Sequence, residues 1–215
     1  MEPVVHLRDV VALLGRFPAL AGASLDVQRG EIVLVRGRNG AGKTTLLRVL
    51  AGLVPVVSGE AAVLGHDLRT DRRTLRSKVG LLGHGNGLYE DLTVAENVRF
   101  WGRTVGASDD EMAAAMDHLG LAGRLANVVV NRLSAGQRRR AAIAVVAARR
   151  PELWLLDEPH AGLDAAGRDL LDALLGEAVG AGATVVFASH DLDRAVPLAH
   201  RVVTMAGGVV ETPAL

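Results

Sequence analysis

The chain has 215 residues, with 24 Lys+Arg against 24 Asp+Glu, a formal net charge of +0, 49% hydrophobic residues and 22% charged ones. That length suits one domain, or one core with an inserted subdomain, and can bury a sizeable core without covalent staples. The neutral balance argues against a dedicated nucleic-acid binder, which carries a basic excess, and the absence of cysteine excludes disulfides, thiol catalysis and Cys-ligated metals.

In chain order, short apolar runs alternate with helical stretches, the pattern of an α/β fold with a mainly parallel sheet. Residues 4–7, 24–27 and 32–36 predict strands, 43–50 a helix, and 79–82, 153–156, 184–188 and 201–205 further buried strands. Between 82 and 153 the strand signal fades. That stretch is too long for a structureless connection, and it carries three Ser/Thr-x-x-Glu/Gln capping boxes: Thr93 with Glu96, Ser108 with Glu111, and Ser134 with Gln137. A mostly helical insertion over 84–145 is therefore expected inside a core built from both ends of the chain. The charge clusters at 71–73 and 138–140 read as solvated faces. Spanning a bilayer takes about 20 apolar residues, far more than the run at 141–148. The start, Met1-Glu2-Pro3, has no apolar signal-peptide core. A soluble, cytoplasmic chain able to dock onto a membrane protein is expected.

Lys43 and Lys78 are the only lysines. Lys43 lies in Gly37-Arg38-Asn39-Gly40-Ala41-Gly42-Lys43-Thr44, which fits the phosphate-binding pattern G-x-x-x-x-G-K-[ST] between an apolar strand and a helix. Glycines let backbone N–H groups turn inward toward phosphate oxygens, and the helix presents its positive end to the same anion. Lys43 reaches the β- and γ-phosphates, and the Thr44 hydroxyl offers Mg²⁺ a hard oxygen. The run Gly83-His84-Gly85-Asn86-Gly87-Leu88 fails as a dinucleotide turn, because Leu88 stands where a third glycine is required.

Residues 153–158, Leu-Trp-Leu-Leu-Asp-Glu, form an apolar strand ending in two carboxylates. Open α/β sheets place ligands at the carboxyl ends of their strands. Asp157 is placed to hold Mg²⁺, and Glu158 to orient and deprotonate an attacking water. His190 follows the apolar run 184–188 at another carboxyl end, where an imidazole can bond a γ-phosphate oxygen and Glu158; alone, such a His is also compatible with a structural role. The remaining histidines considered, His6, His66, His118, His160 and His200, show no metal-ligand spacing and read as structural or surface. Leu133-Ser134-Ala135-Gly136-Gln137 has two readings, a capping box and a second phosphate site at a helix N-terminus. Capping does not explain Gly136, since Gly at this position costs helix stability.

Together these motifs resemble the nucleotide-binding subunit of an ABC transporter over nearly the whole chain. The matching parts are the Walker A loop through Thr45, the signature at 133–137, the Walker B strand with Asp157 and Glu158, a D-loop at Ala161-Gly162-Leu163-Asp164 and the switch His190. The resemblance implies an α/β P-loop NTPase (ABC ATPase) core with a parallel sheet, a small antiparallel N-terminal β region and an inserted helical subdomain, with 1–83 and 146–215 as core and 84–145 as the insertion. It also implies ATP and Mg²⁺ as cofactors, Phe17 as the aromatic that stacks on adenine, and Ser134, Ala135, Gly136, Gln137 and Asp164 as contacts to the ATP of a second subunit. Two features depart from the commonest pattern. Ala135 replaces a signature Gly, and His84 stands where most members carry a Mg²⁺-approaching Gln. Both are similar to the ATP-binding subunit of the haem exporter of cytochrome c maturation, as are Leu82-Gly83-His84, Leu92-Thr93, Glu96-Asn97, Val130-Asn131 and Leu153-Trp154. An imidazole is a poor ligand for a hard cation, so His84 is expected to act through a water, to leave the contact to Asn86, or to serve as a link to the membrane subunit.

The implied assembly is a head-to-tail homodimer in the ATP-bound state, on a separate integral membrane subunit that meets the loop 83–91. It would be peripheral at the cytoplasmic face of the bacterial inner membrane and would bind no nucleic acid. Rival readings are the ATPase of a two-component drug or lipid exporter, a regulatory ABC ATPase that transports nothing, a non-hydrolysing nucleotide-binding module and a soluble kinase. The last lacks any need for the signature at 133–137.

Overall fold

The computed structural model describes residues 3–211. A four-stranded antiparallel sheet holds β1 (Val5–Leu14), β2 (Phe17–Val27), β4 (Ser58–Val63) and β5 (His66–Asp67), in the order β2-β1-β4-β5. A six-stranded sheet holds β3 (Ile32–Arg36), β6 (Val79–Leu82), β7 (Leu153–Asp157), β8 (Thr184–Ala188), β9 (Arg201–Ala206) and β10 (Val209–Glu211), in the order β10-β9-β3-β8-β7-β6. Its strands pair in parallel except β10, which returns antiparallel to β9. The helices are α1 (Lys43–Leu50), α2 (Val94–Arg103), α3 (Asp109–His118), α4 (Ala135–Ala148), α5 (Ala165–Gly180) and α6 (Leu192–Leu198).

The central strands carry apolar runs, at 32–35, 153–156 and 185–188, because both of their faces are covered. Val33 and Val35 of β3, Leu153 and Leu155 of β7, and Val186 of β8 face a core shared with α1 and the antiparallel sheet. Their neighbours Leu34, Trp154, Leu156, Val185 and Phe187 face a second core built with α2 to α5. Each large side chain that is fully buried, such as Phe187 or Leu34, stabilises the fold by about 1.5–3 kcal/mol before chain entropy is set against it. At the amino ends of the parallel strands, Arg201 donates to both Glu31 carboxylate oxygens and to the Asp26 carbonyl, tying β9 to the end of β2 and to the segment that joins β2 to β3. Burial pulls the Glu31 carboxyl upward, but Arg201 and the Gln28 N–H outweigh it and hold the group below the usual carboxylate range.

All three capping boxes form. Thr93, Ser108 and Ser134 each accept from the backbone N–H three residues on, and Glu96, Glu111 and Gln137 reach back to the cap N–H. Three differences from the sequence reading have physical causes. The strands at 4–7 and 24–27 extend to Leu14 and back to Phe17, through register shifts that break their alternation. Strands β4, β5 and β10 carry no apolar run longer than three residues and are completed by pairing to β1, β4 and β9. The cluster at 138–140 is not a solvated face: Arg139 is only 6% exposed, whereas Asp71, Arg72 and Arg73 do face solvent.

Candidate functional site

The parallel register brings four loops to one level. Val35 lies beside Ala188, Ala188 beside Asp157, and Leu156 beside Leu82. The segments leaving these ends begin with Gly37, Ser189-His190, Glu158 and Gly83-His84. Chemistry from four distant parts of the chain therefore meets at one edge.

The phosphate loop is shaped by close approach. Gly42, at φ 104, starts α1, and a Cβ there would sit 2.6 Å from the Ala19 carbonyl. Only glycine fits that point, where the antiparallel sheet abuts the loop. Lys43 is buried, and its Nζ donates to the Gly37 carbonyl at 2.7 Å and to that of Arg38 at 3.3 Å. The Lys43 ammonium is thus folded back over the loop within reach of an anion seated there. Residues 39–45, His84, Asp157 and Glu158 line one cleft of about 350 Å³, whose remaining wall is Leu14 and Ala19.

The Thr44 hydroxyl donates to Asp157 Oδ2 at 2.7 Å. Two hard oxygens converge beside the loop, the donor set that Mg²⁺ takes together with substrate phosphates. Among the described residues no group of three or more His, Cys, Asp or Glu is placed to hold a metal ion. The Thr44 and Asp157 oxygens fit a Mg²⁺ held together with substrate phosphates, while His84, in the same cleft wall, offers a nitrogen that a hard cation disfavours.

Glu158 has φ 49, a left-handed backbone that costs a non-glycine residue about 1–2 kcal/mol. Its Oε1 lies 2.8 Å from His190 Nδ1, and its Oε2 accepts from the His190 N–H at 3.3 Å. The carboxylate is thereby held at the cleft while the imidazole stays 75% exposed. The carbonyls beneath it are gripped by Arg139 of α4, whose Nη2 donates to Asp157 O at 2.8 Å and to Glu158 O at 2.7 Å. Burial pulls the Arg139 guanidinium below its ordinary value, with the Asp157 and Glu158 carboxylates opposing that shift.

Ser134, Ala135, Gly136 and Gln137 do not line this cleft. They open α4, and a Cβ on Gly136 would lie 3.1 Å from the Gly162 carbonyl. Close packing against residues 161–164 is thus a second reason for glycine at that position. Asp164 caps α5, its Oδ1 accepting from the Gly167 N–H at 2.8 Å. Phe17 opens β2, 80% exposed, two residues before Ala19. His160, expected to be structural or surface, is buried, with Nε2 2.7 Å from Asp172 Oδ1. The sequence reading missed Leu14 and Ala19 as cleft wall and Arg139 as the support under Glu158. The first two carry no chemical signal, and Arg139 is one of three consecutive arginines that look alike in sequence.

The family described as ABC transporter matches residues 20–161. The cytochrome c biogenesis ATP-binding export protein CcmA of Bordetella bronchiseptica is 42% identical over 180 residues, covering 83% of this chain and 80% of that protein. The phospholipid-transporting ATPase ABCA7 of Homo sapiens is 39% identical over 195 residues, 89% of this chain, and the chain spans only 9% of that protein's length. A dimeric ATP-binding cassette in a post-hydrolysis state, bound to ADP and phosphate, superposes with a TM-score of 0.85 at 29% identity, covering 97% of each chain.

Proposed function

The chain belongs to the ABC transporter family, and from that premise we propose that it hydrolyses ATP to drive a separate membrane subunit, in a complex of the haem-exporter type used in cytochrome c biogenesis. The observation that carries the ATPase reading is the convergence, in one cleft, of Lys43, the Thr44–Asp157 oxygen pair and the Glu158 carboxylate held by His190.

In this reading the N–H groups of Gly37, Arg38, Asn39, Gly40, Ala41 and Gly42, with Thr45, cradle the phosphates, and Lys43 meets the β- and γ-phosphate charge. Thr44 and Asp157 hold Mg²⁺, which when bound neutralises the charge that builds on the phosphates. Glu158 takes the proton of the attacking water as its oxygen bonds to the γ-phosphorus and the bond to the ADP oxygen breaks. His190 holds Glu158 in place and bonds a γ-phosphate oxygen. Phe17 stacks on adenine. Because Ser134, Ala135, Gly136 and Gln137 stand apart from this cleft, we assign them, with Asp164, to the ATP of a second copy in a head-to-tail dimer. The segment 84–145 forms a helical subdomain on the 1–83 and 146–215 core, and its loop at 83–91, with His84, meets the membrane subunit. Among the described residues no helix is long and apolar enough to cross a membrane; in the proposed complex the chain is peripheral, at the cytoplasmic face of the inner membrane, and is held there by the membrane subunit.

The haem-exporter reading is supported by the 42% identity to CcmA over most of both chains. A second reading, the ATPase of a lipid exporter, is supported by the 39% identity to ABCA7. Two measurements test these readings. Purified Lys43→Ala should lose ATP binding and turnover together, since it removes the point charge that meets the phosphates; hydrolysis at the wild-type rate would reject the phosphate-loop assignment. Affinity purification from host membranes should bring down a membrane subunit of the cytochrome c biogenesis type, and a lipid-exporter permease in its place would favour the second reading.

A further inference from the structure

Arg139 is a charged side chain in a nearly dry place, 6% exposed, and its partners there are backbone carbonyls. Its Nη1 donates to Gly83 O at 2.9 Å, its Nη2 to Asp157 O at 2.8 Å and to Glu158 O at 2.7 Å, and its Nε approaches Pro159 O at 3.5 Å. Burying a guanidinium is costly unless its fork is fully hydrogen-bonded, and here the fork is used on consecutive carbonyls. Those of Asp157 and Glu158 belong to the two peptide planes that flank the Glu158 Cα. Fixing both planes fixes φ and ψ of Glu158, the residue whose φ of 49 lies in the left-handed region.

We propose that Arg139 is a positioning residue for ATP hydrolysis: by holding the two peptide planes around Glu158 it keeps that backbone left-handed and the carboxylate against His190. The same guanidinium holds the Gly83 carbonyl, so the segment that enters His84 is registered to Glu158 through one side chain. Arg139 also stands one turn into α4, whose first turn carries Ser134 to Gln137. A shift of that helix is therefore transmitted to the hydrolytic carboxylate and to the His84 segment together. The proposal rests on the reading of Glu158 as the general base.

The test is a double-mutant cycle in the full chain, with ATP affinity, phosphate-release kcat and thermal unfolding measured for wild type, Arg139→Gln, Glu158→Gln and the double variant. Misplacing a reacting group by about 1 Å costs on the order of a hundredfold, so Arg139→Gln should lower kcat by about tenfold to a hundredfold with ATP affinity changed less than about twofold. In the Glu158→Gln background, where no base remains to be positioned, the same change should cost less than about twofold, the signature of coupled residues. Arg139→Lys keeps the charge and the stem but one donor nitrogen; it should recover part of kcat, and it carries the cycle if Arg139→Gln does not fold. An equal loss in both backgrounds, or wild-type kcat in folded Arg139→Gln, overturns the proposal. A Glu158→Gln variant as active as wild type overturns the general-base reading instead, and the positioning role with it.

Discussion

Glu158 and His190 follow the ends of neighbouring parallel strands, and β7 pairs with β8 so that Asp157 lies beside Ala188. Their 2.8 Å contact is therefore set by register before any side chain is chosen. This is why the chemistry was legible at the residue scale: polar residues just past apolar runs converge where parallel strands end. Arg139 was not legible, because backbone carbonyls leave no trace in sequence. Phe17 is the residue whose role the fold alone decides least. At 80% exposed it contributes little to the core, and surface substitutions usually change stability by under about 0.5 kcal/mol. Base–aromatic stacking is worth about 1–3 kcal/mol, which corresponds to a roughly 5- to 150-fold change in affinity. Phe17→Ala should therefore weaken ATP binding by such a factor with Tm unchanged, and Phe17→Tyr should bind as wild type. Nucleotide titration with thermal unfolding checks both; unchanged affinity in Phe17→Ala removes Phe17 from the adenine site.

At the scale of elements, β3, α1, β6 and β8 have the bounds the sequence predicts, since strands covered on both faces stand out as short, mostly apolar runs and α1 follows directly from its glycine loop. The four-stranded sheet was legible only in part. Strand β4, Ser-Gly-Glu-Ala-Ala-Val, has weak strand propensity and is specified by its partner β1 across some fifty residues of chain. The three capping boxes were fully legible because all their atoms lie within four residues. Of the three capping-box residues Ser134 alone is also assigned a second role, and the two roles separate experimentally. Asp is as good an N-cap as Ser and suits the positive helix end, so Ser134→Asp should keep the stability of wild type. Ser134→Ala should lose about 0.5–2 kcal/mol. If the helix start also meets a partner's γ-phosphate, the added carboxylate repels it, and Ser134→Asp should fail to form the ATP-dependent dimer. Chemical denaturation reads the first effect and size exclusion with ATP the second. A Ser134→Asp protein that dimerises normally leaves Ser134 as a cap only.

For the molecule as a whole, the two halves of the proposed nucleotide site lie apart in one chain. Lys43, Asp157 and Glu158 share a cleft, while Ser134 to Gln137 begin α4 outside its lining. In the proposed assembly a second chain brings a signature onto each phosphate loop, and the similar cassette bound to ADP and phosphate is itself dimeric. In that assembly the bound ATP would be part of the interface, its γ-phosphate the anion shared by one loop and the opposite helix start. Hydrolysis removes that shared charge, so the dimer should last only as long as ATP does. Glu158→Gln is the variant that isolates this step. Its amide keeps the shape of the carboxylate but cannot accept a proton, and loss of a general base typically costs about 10²–10⁴-fold in rate. With ATP, Glu158→Gln should elute at twice the monomer mass and stay there; with ADP it should elute as monomer. Wild type given ATP should dimerise only transiently, returning to monomer as phosphate appears. Light scattering coupled to size exclusion reads the mass directly, and the same measurement on the complex with its membrane subunit covers the case in which pairing needs that scaffold. Monomer with ATP in both settings would exclude the shared-site assembly and leave Ser134 to Gln137 without a phosphate to meet.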